Sequence, residues 1–121
     1  MHQILLIEDD VDQMRILESV VKRNFKQAIV DKAYSGNEAI AKLSVVPDLV
    51  ILDLMLPERS GFDICKYLRS DTKYKVTKVI AYSVLEDKEM IKKAFASGVD
   101  DYVIKLSDVE LLIEKMNKFL L

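Results

Sequence analysis

The strongest constraint on the fold of this chain is a regular alternation between two kinds of apolar segment. Five short runs are rich in β-branched and other apolar residues, and each is followed by a longer segment whose apolar residues recur every three or four positions. The runs cover residues 4–7, 28–34, 49–52, 79–82 and 102–104. Uninterrupted apolar strands are typical of sheets covered on both faces, and parallel strands need long crossover connections. The alternation therefore predicts a parallel sheet with helices on both faces.

The arrangement of this sheet can be predicted further. Right-handed crossovers lead us to expect a three-layer α/β domain, a (βα)5 doubly wound parallel sheet of the flavodoxin-like type with strand order 2-1-3-4-5. The second run contains Asp31 and Lys32, which suits a strand at the edge of a sheet. Because no linker or low-complexity tract interrupts the pattern, we expect residues 1–121 to form a single domain.

Helix boundaries are marked by capping residues. Ser35 with Glu38, and Ser107 with Glu110, have the spacing of a capping box, and Gly98 suits the left-handed end of a helix. Asp10 is predicted to cap the first helix. The apolar stripe of the fourth helix is predicted to consist of Met90, Ile91, Ala94 and Phe95.

Composition excludes several classes of partner and location. The net charge of -2 gives no basic footprint for nucleic acid or an anionic membrane surface. The amino terminus lacks the features of a signal peptide, and the apolar runs are too short to span a bilayer, so we expect a cytoplasmic protein. The single cysteine, Cys65, lies in an apolar helical pattern and is predicted to be reduced and buried. His2, the single histidine, precedes the first predicted strand and is expected to be exposed.

Polar side chains follow four of the five predicted strands. Glu8 and Asp9 come after the first strand, Asp53 after the third, Ser83 after the fourth and Lys105 after the fifth. In open parallel sheets, ligands bind beyond the carboxyl ends of the strands. We therefore expect three carboxylates, one hydroxyl and one ammonium group to meet at the same edge of the sheet.

This set of groups predicts metal-assisted phosphoryl chemistry. Neighbouring carboxylates repel one another unless a cation lies between them, and Mg²⁺ (or Mn²⁺) prefers such oxygen ligands. With the repulsion offset, Asp53 could attack an incoming phosphoryl group as a nucleophile. Ser83 and Lys105 would stabilise the remaining charge.

These residues resemble the receiver domains of bacterial response regulators, the CheY-like proteins of two-component signalling. The resemblance covers essentially the whole chain. It is carried by the Ile-Leu-Leu-Ile-Glu-Asp-Asp run at residues 4–10, the Asp-Leu-Met-Leu-Pro run at 53–57 with Gly61 four residues further on, Ser83, and the Asp-Tyr-Val-Ile-Lys run at 101–105. Each piece alone is weak, but four pieces in order, each at a predicted strand end, are specific.

The resemblance implies roles for individual residues. Asp53 would be the phosphoacceptor, taking the phosphoryl group from a phosphohistidine on a sensor histidine kinase or phosphotransfer protein. Asp9 and Asp53 would ligate the metal through their side chains, Met55 through its backbone carbonyl and Glu8 through a water. No turnover of a separate substrate is implied, so the protein would be a signalling phosphoacceptor with only slow autodephosphorylation and not an enzyme.

The resemblance also implies a conformational switch. Ser83 would hydrogen-bond the phosphoryl group, and Tyr102 would turn inward into the space that this movement vacates. The face made by helix 4, strand 5 and helix 5 would change, for binding of a downstream target or output domain or for homodimerisation. Two positions depart from the family pattern, because Val84 stands where a small residue is usual and Leu106 where a proline is usual.

Two alternatives stay open at this point. A haloacid-dehalogenase-type phosphatase also uses an aspartyl nucleophile at a parallel strand end, but it has a second aspartate two positions later, where this chain has Met55. A receiver-like interaction module that is never phosphorylated is favoured by Val84 and Leu106. Because Leu106 removes an easily formed cis Xaa-Pro bond, the placement of Lys105 depends on a peptide that is either trans or a costly cis bond.

Overall fold

A computed structural model describes residues 2–105 and 109–120 of the chain. Five strands and five α-helices alternate within these residues. The strands are β1 (Gln3–Ile7), β2 (Ile29–Ala33), β3 (Leu49–Leu52), β4 (Lys78–Ser83) and β5 (Asp101–Ile104). The helices are α1 (Val11–Asn24), α2 (Gly36–Lys42), α3 (Gly61–Ser70), α4 (Lys88–Ser97) and α5 (Val109–Leu120), with a 3₁₀ turn at Thr72–Tyr74.

The strands form one parallel sheet in the order β2-β1-β3-β4-β5, which confirms the predicted topology. Two apolar cores lie on opposite faces of this sheet. One contains buried residues of α2, α3 and α4, and the other contains buried residues of α1 and α5. β3 is buried along its whole length, whereas β2 lies at the edge and exposes Ile29 and Asp31. The division of helices between two faces is that of a doubly wound, flavodoxin-like domain.

Four of the five predicted strands differ from the observed ones by one residue at one or both ends. β1, β4 and β5 each begin one residue earlier than the apolar run that predicts them, β4 also ends one residue later, at Ser83, and β2 is one residue shorter at both ends. β3 has the predicted limits. Ladder hydrogen bonds extend into flanking polar residues such as Gln3 and Lys78, which an apolar run cannot mark.

Helix capping follows the sequence closely. The side chains of Asp10 and Ser35 accept hydrogen bonds from the N–H groups of Gln13 and Glu38, respectively. Gly98 ends α4 in the left-handed conformation, with φ of 112°. The predicted capping box of Ser107 with Glu110 depends on a residue outside the described part of the chain.

The prediction for the fourth helix is wrong in part. Met90 and Phe95 were expected in the apolar stripe, but in α4 their exposed fractions are 39% and 46%. The buried residues of α4 are small, namely Ala94 and Ser97. Close packing of α4 on its neighbours through small side chains leaves the larger apolar ones toward solvent.

Arg69 hydrogen-bonds to several loop segments near the amino ends of β4 and β5. Its guanidinium donates to the backbone carbonyls of Gly98, Tyr74 and Thr77 at 3.0, 3.3 and 3.0 Å. It also pairs with Asp100 at 2.8 Å. One side chain at the end of α3 thus holds together the loop before β4, the end of α4 and the start of β5.

The location of Cys65 predicts a thiol that is protected in the folded protein. Cys65 is fully buried, and burial raises the pKa of its thiol to about 11. Because the thiolate is the reactive form, we expect slow alkylation by iodoacetamide at neutral pH and fast alkylation in denaturant. Mass measurement after timed quenching follows the reaction. Equal rates in the native and denatured protein would contradict the burial.

The His2 side chain is exposed, as predicted, and lies 4.0 Å from Asp48. Among the helices of residues 2–105 and 109–120, none combines the length and apolarity that a bilayer span requires.

Candidate phosphorylation and metal site

The strand register brings the predicted site residues to one edge of the sheet. Ile7 pairs with Leu52 in the ladder between β1 and β3, so Glu8 and Asp53 leave these strands side by side. The Asp53 N–H donates to the Ile7 carbonyl, and the Lys105 N–H donates to the Ser83 carbonyl, at 3.0 and 2.8 Å. The two pairs of strand ends thus keep their alignment one residue beyond the sheet.

Burial differs among the acidic residues. Glu8 and Asp53 are buried, with exposed fractions of 2% and 7%, whereas Asp9 is exposed. Carboxylate oxygens of the three residues all lie within 4.8 Å of one another. Burial raises the pKa of Glu8, and the neighbouring Asp53 adds to this rise, against the lowering effect of Lys105. Three acids this close, two of them withdrawn from water, need a cation to stay ionised together.

Lys105 supplies one such cation. Its Nζ donates to Asp53 Oδ2 at 2.9 Å, to Gln13 Oε1 at 2.7 Å and to Glu8 Oε1. Burial alone would lower the pKa of Lys105, but the hydrogen bonds to Asp53 and Glu8 outweigh it and raise the pKa. Lys105 therefore reaches Asp53 in a chain with Leu106 in place of the usual proline. The Lys105–Leu106 peptide itself lies outside the described residues.

The donor set fits a hard divalent ion. One ammonium charge offsets only part of the charge of three carboxylates, and the exposed side chain of Asp9 opens the cluster to solvent. Carboxylate oxygens at this spacing, with room for waters on one side, suit Mg²⁺ or Mn²⁺. Glu8, Asp9 and Asp53 are the residues whose side chains could hold the ion.

The loop after β3 is held close to α3 by a glycine. The Gly61 N–H donates to the Leu54 carbonyl at 3.0 Å, and a Cβ at position 61 would lie 2.3 Å from the Asp53 carbonyl oxygen. From the sequence, Gly61 is expected to permit a turn into the third helix, and α3 begins at this residue, although its φ is not positive. Its absent side chain also allows α3 to approach the backbone that carries Asp53.

The predicted switch residues lie on either side of the loop after β4. Ser83 is buried, and its Oγ accepts a hydrogen bond of 3.4 Å from the Leu85 N–H. The Tyr102 hydroxyl donates to the Leu85 carbonyl at 2.6 Å. Tyr102 is half-buried against the core on the α3 side of the sheet, and this burial raises the pKa of its hydroxyl. Ser83 and Tyr102 therefore both hydrogen-bond to the backbone of Leu85.

Two further residues of the site face outward. The Met55 N–H donates to Asp53 Oδ1 at 3.1 Å, which orients the carboxylate, while the Met55 side chain is exposed. Val84 is also exposed.

Sequence reasoning missed one residue of the site, Gln13. It lies in the first turn of α1 and contacts Lys105 across 92 positions of sequence. Its spacing from Asp10 is that of a capping box, which could have drawn attention to it. A glutamine at the start of a helix is otherwise an ordinary surface residue.

Comparisons with known sequences agree with this geometry. The response regulator receiver domain family matches residues 4–117. The response regulator ArlR of Staphylococcus aureus strain Mu50 is 35% identical over 122 residues, which cover 99% of this chain and 53% of ArlR. The chain thus spans about half the length of the curated relatives it matches.

Comparisons with solved structures give the same result. The signal receiver domain of a DNA-binding response regulator from Colwellia psychrerythraea 34H is 28% identical, with a TM-score of 0.92 and coverage of 98% of this chain and 97% of that one. The BeF3-activated DrrB receiver domain is 30% identical, with a TM-score of 0.86 and coverage of 99% and 97%. This chain belongs to the response regulator receiver domain family.

Proposed function

We propose that Asp53 accepts a phosphoryl group in a reaction that depends on Mg²⁺ or Mn²⁺. The observation that carries this proposal is the placement of the Asp53 carboxylate. It is buried at the end of a central strand, within 4.8 Å of the carboxylates of Glu8 and Asp9, and 2.9 Å from the Lys105 ammonium. A carboxylate with cationic partners on its flanks can approach a phosphate without strong repulsion.

The phosphodonor is a phosphohistidine of a sensor histidine kinase or phosphotransfer protein. One Asp53 oxygen attacks phosphorus, the new O–P bond gives an acyl phosphate, and the P–N bond breaks. The electron pair of the P–N bond stays on the imidazole nitrogen of the donor. Where the other ring nitrogen carries no proton, solvent supplies one, so the imidazole leaves as a neutral ring. Protein groups mainly supply position and charge in such a transfer.

The side chains of Asp9 and Asp53 and the backbone carbonyl of Met55 would hold the ion, with Glu8 acting through a water. When bound, the ion supplies positive charge against the carboxylates and the phosphoryl oxygens. The Lys105 ammonium would pair with one phosphoryl oxygen, and the Ser83 hydroxyl would donate a hydrogen bond to another.

The output is a change in the face formed by α4, β5 and α5. Movement of Ser83 toward the phosphoryl group would pull on the chain at Leu85, whose carbonyl accepts the Tyr102 hydroxyl. Tyr102 would then move further toward the core, and the change would reach Met90 and Phe95, which are exposed on α4. A downstream target, an output domain or a second copy of the chain would bind this face.

The proposal predicts an adduct that depends on a single residue. With Mg²⁺ and acetyl phosphate, the wild-type chain should gain the mass of one phosphoryl group, and Asp53→Asn should gain none because an amide is a poor nucleophile. Intact-mass measurement checks both. Omission of Mg²⁺ is the matched control and should remove the adduct from the wild type.

Other outcomes favour the alternatives. A wild-type chain that never carries the adduct would support the unphosphorylated interaction module. Sustained Mg²⁺-dependent turnover of a generic phosphomonoester would support a phosphatase and contradict a phosphoacceptor role.

A further inference from the structure

Gln13 makes a contact that neither helix capping nor the metal cluster requires. In a capping box, the side chain of the third helical residue accepts the N–H of the capping residue. Gln13 holds that position relative to Asp10, but the Asp10 N–H donates instead to Glu8 Oε2 at 3.1 Å. The Gln13 side chain is thereby free of a capping task, and its Oε1 accepts from Lys105 Nζ at 2.7 Å.

The contact completes the hydrogen bonding of Lys105. An ammonium group has three N–H donors. In the described structure these go to Glu8, Asp53 and Gln13. The first two acceptors are charged residues of the candidate metal cluster, whereas Gln13 is neutral and comes from a different element, α1.

The three acceptors differ in what happens to them during the proposed reaction. A divalent ion would neutralise part of the negative charge of Glu8 and Asp53, and a phosphoryl group would be bonded to one carboxylate oxygen of Asp53. Both events weaken the attraction of these two residues for Lys105. A neutral amide attracts a hard cation far less than a carboxylate does. Gln13 is the acceptor among the three that can hold Lys105 throughout.

We propose that Gln13 is a positioning residue, which keeps the Lys105 ammonium directed at Asp53 when the metal and the phosphoryl group weaken the attraction of Glu8 and Asp53 for Lys105. This inference rests on the proposed function of Asp53. It assigns to α1 a direct part in the phosphorylation reaction, exerted through Lys105.

The test compares variants that differ in reach and polarity. Gln13→Met keeps the approximate size but removes the acceptor, and Gln13→Asn keeps the amide but shortens its reach. Each should lower the rate constant for adduct formation with acetyl phosphate, at saturating Mg²⁺, by about fivefold to tenfold, which corresponds to the net contribution of a typical intramolecular hydrogen bond. Gln27→Met, at another exposed glutamine, is the matched control and should leave the rate constant unchanged.

Two readouts separate positioning from a structural effect. The Kd for Mg²⁺, measured by calorimetry, should change less than about twofold in Gln13→Met, because, in the described part of the chain, the Gln13 side chain hydrogen-bonds to Lys105 and to none of the three acids. The affinity for beryllofluoride in saturating Mg²⁺ should fall together with the rate constant. In a Lys105→Met background, Gln13→Met should have no further effect on beryllofluoride affinity.

Clear results would overturn the inference. If the wild type forms the adduct and Gln13→Met forms it with the same rate constant, Gln13 has no positioning role, while the proposed function of Asp53 is unaffected. If Gln13→Met lowers beryllofluoride affinity as much in the Lys105→Met background as in the wild-type background, Gln13 does not act through Lys105. Absence of any adduct on the wild type would overturn the proposed function, and this inference with it.

Discussion

Replacing Lys105 with methionine is expected to tighten Mg²⁺ binding at least about tenfold, which corresponds to about 1.4 kcal/mol. The Lys105 ammonium donates to Glu8 and Asp53 and so neutralises part of the charge that the ion would use. Methionine keeps much of the side-chain length and removes the charge. Repulsion between the buried carboxylates is then relieved chiefly by the metal. Isothermal titration calorimetry with magnesium chloride measures the change.

The control for this variant is Lys42→Met. Lys42 pairs with Asp31 at 2.9 Å on the exposed edge of the sheet, so its removal should leave the Kd for Mg²⁺ unchanged. Thermal unfolding gives a second measurement. Without Mg²⁺, Lys105→Met should unfold at a lower temperature than the wild type, and Mg²⁺ should raise its midpoint more than that of the wild type. Unchanged or weaker Mg²⁺ binding by Lys105→Met would refute competition between the two cations.

Replacing Arg69 with methionine is expected to lower the free energy of unfolding by about 2–4 kcal/mol. The change removes the donor to the backbone carbonyls of Gly98, Tyr74 and Thr77 and leaves Asp100 without its cationic partner. Both charged side chains of the pair are only 26% exposed, so water replaces these contacts incompletely. Denaturant titration monitored by circular dichroism gives the free energy.

A second arginine provides the comparison for Arg69. Arg15 pairs with Asp12 on α1, but these side chains are 73% and 83% exposed. Arg15→Met should therefore change stability by less than about 0.5 kcal/mol. Arg69 lies at the end of the sheet opposite to Asp53, so the folded fraction of Arg69→Met should still form the adduct with acetyl phosphate. Equal stability of the two variants would show that the hydrogen bonds of Arg69 contribute little.

The sheet and the candidate site were predictable from the sequence because both depend on local patterns. Each strand is a short apolar run, and Asp53 interrupts such a run at its end. Parallel strands bring their carboxyl ends to one edge, so the meeting of Glu8, Asp53 and Lys105 follows once the strands are assigned. No detailed knowledge of side-chain packing is needed for this step.

Features that depend on packing between distant segments were not predictable in the same way. Met90 and Phe95 continue the apolar pattern of α4, but close packing through Ala94 and Ser97 turns them toward solvent. Periodicity identifies an apolar face without stating which part of it meets the sheet. Arg69 gives no local signal, because its acceptors lie 5 to 31 positions away.

Gln13 and Gly61 illustrate a further limit. The sequence marks Gln13 as an ordinary residue of a first helical turn, and only the position of Lys105 gives it a partner. Gly61 is recognisable as a residue with a special backbone role, but the close approach of α3 to the Asp53 backbone, which its absent side chain allows, is visible only in the structure. Residue type indicates a constraint in such cases, and the three-dimensional contact supplies its cause.

Mapping of the modified residue tests most directly whether Asp53 carries the phosphoryl group. Borohydride reduces an acyl phosphate of aspartate to homoserine, which survives digestion and is located by tandem mass spectrometry. After treatment with acetyl phosphate and Mg²⁺, we expect homoserine at position 53. A phosphorylated chain that retains unmodified aspartate at position 53, with the reduced residue at Glu8 or Asp9 instead, would contradict the claim.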